Sequence, residues 1–168
     1  MELKSRIARQ LEKVREVSEA YLASFHTPAQ WTHQVHPEAN HALWFAGHLG
    51  LVDNFMLSLV APQRAIEKPG YPEKFGMGSH PTSNPADYPD PAEVVEFMRE
   101  RRSVLLDALE GMSDADLSQP LPAGAPDIMS DVGSAFEMAV WHEALHAGQV
   151  SVARRALGNR PLADAPPQ

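Results

Sequence analysis

The 168-residue chain is long enough for one ordinary domain, and its 43% hydrophobic content supplies a single sizeable core. It contains no cysteine, which excludes disulfides, cysteine-ligated zinc and a cysteine nucleophile, so any thiol chemistry needs a thiol brought from outside. A formal charge of -8, with no basic cluster beyond the pairs Arg101-Arg102 and Arg154-Arg155, opposes a phosphate backbone and disfavours nucleic-acid binding.

The first apolar stripe is Leu3, Ile7, Leu11, Val14, Val17, Tyr21 and Phe25, recurring at three and four, and predicts an amphipathic helix that Thr27-Pro28 ends. A second helix is predicted from about Pro37 to Val60, with Trp44, His48, Leu51, Val52, Phe55 and Leu59 along one face. About thirty residues dense in proline and glycine follow, from about 61 to 90. Fully extended at ~3.3 Å per residue, that segment spans more than the length of a bundle. It allows the next helix to run parallel to the second, and its "YPEKFGMGS" is expected to pack over one mouth of the bundle.

A third helix opens at "DPAE", with Asp90 as cap, Pro91 in the first turn and Glu93 completing an approximate capping box. Its stripe is Val94, Phe97, Met98, Arg101, Val104, Leu105, Ala108 and Leu109. "EGMSDADL" reads as a connection or a short capped turn. A fourth helix runs from near Ser130 to Gly158, with Ala135, Ala139, His142, His146, Gln149, Val150 and Ala153 facing inward and a tail, 159–168, beyond it that is expected to be flexible. The expected fold is therefore a single all-α domain over 1–168, a four-helix bundle of up-down-down-up order with one long crossover. No run of 18 or more apolar residues appears and "MELKSRIARQ" is charged, so a soluble, cytoplasmic protein without membrane or secretory segments is expected.

Within the fourth helix, "WHEALH" matches the H-E-x-x-H spacing of zinc proteases, which puts His142 and His146 over one ion. A protease would draw its third ligand from downstream, yet between Ala147 and Gln168 there is neither glutamate nor histidine, and Asp164 in a proline-rich tail is a poor candidate. The third ligand is therefore sought upstream, and His48 is the histidine embedded in an apolar helical face. Helix lengths place it at a compatible depth and leave the direction of the helices open. A lone inward histidine is more often a hydrogen-bonded core residue; three on two facing stripes point to a metal.

Glu143 lies about 100° around the helix from His142, which favours a surface or ligand-supporting role over that of general base. Gln149 shares nearly the face of His146 and could orient a ligand or substrate, or satisfy a backbone group. Trp44 and Trp141 could wall the site. His33, His36 and His41 read as solvated, and His80 in the crossover is a remote candidate for the open coordination position.

Taken together, "NHALWFAGHLGLVDNF", "KFGMGSHPTSNPADYP" and "WHEALHAGQVSVARRALG" resemble the DinB-like superfamily of metal-binding four-helix bundles, in its DinB-2 branch, over roughly 38 to 158. The resemblance implies that His48, His142 and His146 are the metal ligands, that the ion is divalent (zinc first, or nickel, manganese or iron), and that the protein is a homodimer. It also implies kinship with bacillithiol- and mycothiol-dependent transferases and isomerases. Three neutral imidazoles leave an ion its full charge and an open position, which suits activation of an external thiol cosubstrate for S-transfer or isomerisation. Metal-hydroxide hydrolysis of a small substrate is the alternative, and a non-catalytic metal- or small-molecule-binding bundle is a third reading.

Overall fold

Helices form where apolar residues recur every three or four positions, but charge decides which of those residues turn inward. The computed structural model describes residues 2–164. Helix α1, Leu3–Leu22, buries Ile7, Leu11, Arg15, Ser18 and Leu22. The predicted stripe through Val14, Val17 and Tyr21 is thus displaced by one position in the second half, and Val17 is 45% exposed. Arg15 takes the inward place because the other long helices supply its partners. Thr27 does not end α1; with Gln30 it forms a reciprocal capping box that starts α2, Pro28–Trp31.

Helix α3, Ala42–Val60, begins five residues later than predicted from Pro37. His41 is its N-cap: Nδ1 accepts the Trp44 N–H at 3.0 Å, and the ring is fully buried rather than solvated. Phe55, expected on the buried face, is exposed, while Asp53 and Met56 are buried. By length and mean hydropathy, 1.3, α3 could cross a membrane, but 61% of that window is buried against the rest of the chain. A helix apolar on all sides is also what the centre of a bundle requires.

The crossover is folded. It contains α4, Tyr71–Phe75, and 3-10 turns at Pro62–Arg64 and Pro85–Asp87. Asn54 of α3 binds the backbone of Ile66 through both its amide atoms, at 2.9 and 3.0 Å. Phe75 is fully buried against α3, over Gly47. A methyl group on Gly47 would lie 2.4 Å from that ring, and one on Gly50 would lie 2.5 Å from Phe97. Ala exceeds Gly in helix propensity by about 1 kcal/mol, but overpacking costs about 1–3 kcal/mol, so Gly47→Ala is expected to lower the urea midpoint rather than raise it.

Helix α5, Pro91–Glu110, has Asp90 as cap at 2.8 Å from the Ala92 nitrogen. Glu93 accepts the Tyr71 hydroxyl at 3.1 Å instead of closing the predicted box. The turn α6, Asp114–Leu117, is capped reciprocally by Ser113 and Asp116. Helix α7, Val132–Ala156, is started by Asp131 with Ser134 and is followed by Gly158 at φ 86°, a left-handed position that suits glycine. Within the predicted tail, Asn159 binds the Arg154 carbonyl at 3.1 Å and Leu162–Asp164 forms a 3-10 turn. Residues 165–168 of that tail lie outside the described residues.

The four long helices α1, α3, α5 and α7 pack as an all-α bundle. Between α1, with the turn that follows it, and α7 the contacts pass from Arg6–Glu137 through Arg15–Glu143 to Ser24–Arg154. The core has two apolar clusters: Phe45, Phe75, Phe97 and Val150 belong to one, and Leu11, Leu57, Leu105 and Phe136 to the other. Four charged residues between the clusters, one from each long helix, bind one another: Arg15, Asp53, Arg102 and Glu143, all buried; Arg101, buried beside Arg102, instead reaches the Arg64 carbonyl and Glu100. Arg15 donates to Glu143 Oε1 at 2.9 Å and Asp53 Oδ2 at 3.0 Å; Arg102 donates to both Asp53 oxygens, at 2.9 and 2.8 Å, and to Glu143 Oε2 at 2.7 Å. Their remaining guanidinium nitrogens reach the carbonyls of Met98 and Leu11. Two positive and two negative groups thus neutralise one another inside the bundle, satisfying the condition for burying charge.

Candidate metal centre

One turn of α7 brings His142 and His146 together, with ring centroids 4.5 Å apart. From α3, His48 approaches both, at 5.0 Å and 4.9 Å. One nitrogen from each ring lies within 4.8 Å of the others, so the three histidines form a cluster able to coordinate a metal ion. His48 is buried and the other two are half-buried, which leaves the cluster open on one side.

Hydrogen bonds from the surrounding chain fix two of the rings. His48 Nδ1 is 2.7 Å from the Phe75 carbonyl, which can only accept, so Nδ1 carries the hydrogen and Nε2 the lone pair. His146 Nδ1 is 2.9 Å from Gln149 Oε1, and Asn40 donates to the same oxygen at 3.1 Å, which again leaves Nε2 of the histidine as the free donor of electrons. His142 Nδ1 is buried with no hydrogen-bond partner, so only the opposite side of that ring is engaged. Its Nε2 lies 3.3 Å from His48 Nε2. Two nitrogens bound tetrahedrally to zinc at ~2.1 Å would lie about 3.4 Å apart, so the pair already has the spacing of coordinated imidazoles.

Burial, together with the charge of the neighbouring imidazoles, pushes both His48 and His142 down to about 4. Both are therefore neutral at pH 7, the state that ligates. Trp44 stacks on His48, centroids 4.2 Å apart and 17° between planes, and meets His146 edge-on. Its indole nitrogen donates to Ser79 Oγ at 2.8 Å. The crossover therefore holds the site twice, through the Phe75 carbonyl and through Ser79.

Of the other residues weighed from sequence, Glu143 turns from the ligands toward the two arginines. Burial opposes its charge, but Arg102 and Arg15 hold its carboxyl below the usual range. It is committed to those ion pairs, not free to take a proton from substrate. Gln149 is exposed rather than inward, and supports His146 from the rim. Trp141 is 57% exposed, and His80 is exposed and does not join the cluster. Asn40 was not foreseen; its only sequence signal is its place just before the capping histidine of α3. Gln149→Ala should weaken zinc binding by roughly tenfold or more through loss of the His146 orientation, as measured by competition with a chromophoric chelator.

Residues 10–150 match the model of the DinB superfamily. No curated protein matches the chain. Among solved structures, one described as the conserved protein of locus from Enterococcus faecalis superposes with a TM-score of 0.71 at 17% identity, covering 95% of this chain and 99% of that one. At that identity the likeness concerns the fold alone. The family match spans most of the chain and contains all three clustered histidines, and on that basis the chain belongs to the DinB superfamily.

Proposed function

We propose that the protein is a metal-dependent enzyme that activates an external low-molecular-weight thiol for transfer to a small electrophile, or for a thiol-assisted isomerisation. The observation that carries this reading is the donor set: three imidazoles and, among the described residues, no carboxylate in the cluster. A divalent ion held by His48, His142 and His146, zinc first and nickel, manganese or iron as alternatives, would keep its charge and would favour the ionised form of a thiol or water. The chain has no cysteine of its own, so the sulfur must come with the cosubstrate. In the transfer the S–H proton passes to solvent, sulfur forms a bond to the electrophilic carbon, and the leaving group departs with its electron pair.

What the protein supplies is placement. Phe75 and Gln149 fix the two imidazoles they contact, Trp44 walls the His48 side, and the half-buried face of His142 and His146 admits the substrate. The up-down-down-up order is supported by the residue pairs: numbers rise together between α1 and α7, and run oppositely between α3 and α7, where Asn40 meets Gln149 and His48 meets His142. A cytoplasmic setting would provide the thiol. We further propose a homodimer joined by the uncharged outer stripe of α7, where Trp141, Leu145 and Val152 are exposed at helical spacing. With each copy carrying a charge of -8, this uncharged face is one that a second copy can approach without like-charge repulsion at the contact. Sedimentation velocity at micromolar protein should give twice the chain mass.

The function is tested by metal analysis after native purification, followed by incubation of the loaded protein with a panel of thiols and monochlorobimane. A metal-dependent thiol adduct supports the transferase reading. Thiol-independent hydrolysis of small esters or amides would replace it with the hydrolase, and a loaded protein inert in both assays would leave a binding bundle.

A further inference from the structure

The buried charges are not members of the metal cluster, yet the two carboxylates stand on its helices, close to its ligands. Glu143 follows His142 directly, and Asp53 lies five residues after His48. Arg15 and Arg102 join these two carboxylates across the bundle, so each long helix contributes one member. Apolar packing above and below is non-directional and tolerates small slides and rotations. A one-residue slip of α7 moves its side chains by 1.5 Å and rotates them by 100°, enough to separate His142 and His146 from His48. Charge-assisted hydrogen bonds to both oxygens of both carboxylates permit no such slip. Burying four charges is seldom the most stable solution, because apolar residues of similar volume fill the same space at no electrostatic cost.

We propose that Arg15, Asp53, Arg102 and Glu143 are positioning residues for the metal centre, fixing the register of the ligand-bearing helices so that the three imidazoles converge before an ion arrives. The glutamate of "WHEALH" thus acts on the metal through helix placement, not proton transfer. This inference rests on the metal-dependent reading of the site, and its test separates the two.

The test compares wild type with the quadruple variant Arg15→Met, Asp53→Leu, Arg102→Met, Glu143→Leu, measuring zinc affinity by chelator competition, the visible spectrum of the cobalt(II) form, and melting temperature. The expected result is a melting temperature equal to or above that of wild type, zinc affinity at least tenfold weaker, and an altered cobalt spectrum. Should that variant not fold, Glu143→Gln is compared at low temperature with Leu105→Ala, a cavity variant in the other apolar cluster. Zinc affinity is then expected to fall at least tenfold in the first and less than threefold in the second. A folded quadruple variant, or Glu143→Gln, that binds zinc within threefold of wild type and keeps its cobalt spectrum overturns the positioning role while leaving the metal centre standing. Wild-type protein that takes up neither zinc nor cobalt overturns both.

Discussion

Asp53→Ala is expected to lower the unfolding free energy by about 3–5 kcal/mol, the cost of removing one partner from a buried ion pair. In the native protein its two oxygens receive three hydrogen bonds, one from Arg15 and two from Arg102. Without it, two guanidinium groups face one carboxylate, and a net positive charge remains where little solvent reaches. Burial works against the charge of Arg102, and Asp53 is the first of the two carboxylates that outweigh it and raise its pKa. For a chain of this length the loss corresponds to a melting temperature roughly 6–20 °C lower. Asp53→Asn, which keeps the volume and some of the bonding, should lose less. The exposed pair Arg99–Glu19, at 2.9 Å, provides the comparison: Glu19→Ala should change stability by about 0–1 kcal/mol, because solvent screens it. Urea titration of the three variants checks the order, and equal losses for Asp53→Ala and Glu19→Ala would contradict the assignment of a desolvated charge cluster.

His146→Ala should separate metal binding from folding. The ring is half-buried and its side-chain hydrogen bond is to an exposed glutamine, so its removal should cost the metal-free protein about 1 kcal/mol or less. For wild type, zinc at a hundred times its dissociation constant should add ~2.7 kcal/mol, or roughly 5–10 °C in melting temperature. With only His48 and His142 left, that zinc-dependent rise should largely vanish. Differential scanning calorimetry with and without zinc reads both quantities in one experiment. A full zinc response in the variant would remove His146 from the ligand set.

The histidine cluster and the long helices were legible because each rests on local periodicity. His48 interrupts an apolar stripe, and His142 and His146 stand one turn apart, so the sequence pattern exposes them before any tertiary contact is known. The charge layer was not legible in the same way. Arg15 falls between the residues of an apolar stripe and, viewed within α1 alone, belongs on the solvent side; only α3, α5 and α7 together provide its partners. Asp53 did carry a signal, as a lone acid inside "LGLVDNFML", where every other residue except Asn54 is apolar or glycine. The late start of α3 is hidden because a histidine cap is uncommon, whereas Asp90 is a conventional cap that marks its helix from sequence. Gln149 was placed on the correct side of α7 but too far inward, since the rim of a bundle and its interior share one helical face until neighbours define the edge.

The acceptor that holds His48 belongs to the main chain at Phe75, and a main-chain oxygen survives every point substitution. Sequence drift in the connecting segment can therefore replace the neighbouring Met77 or His80 without removing it. Loss of a single residue between α4 and its anchorage is different, for it would draw the carbonyl out of reach whatever the remaining letters were. Here the protein is tolerant of spelling and intolerant of length.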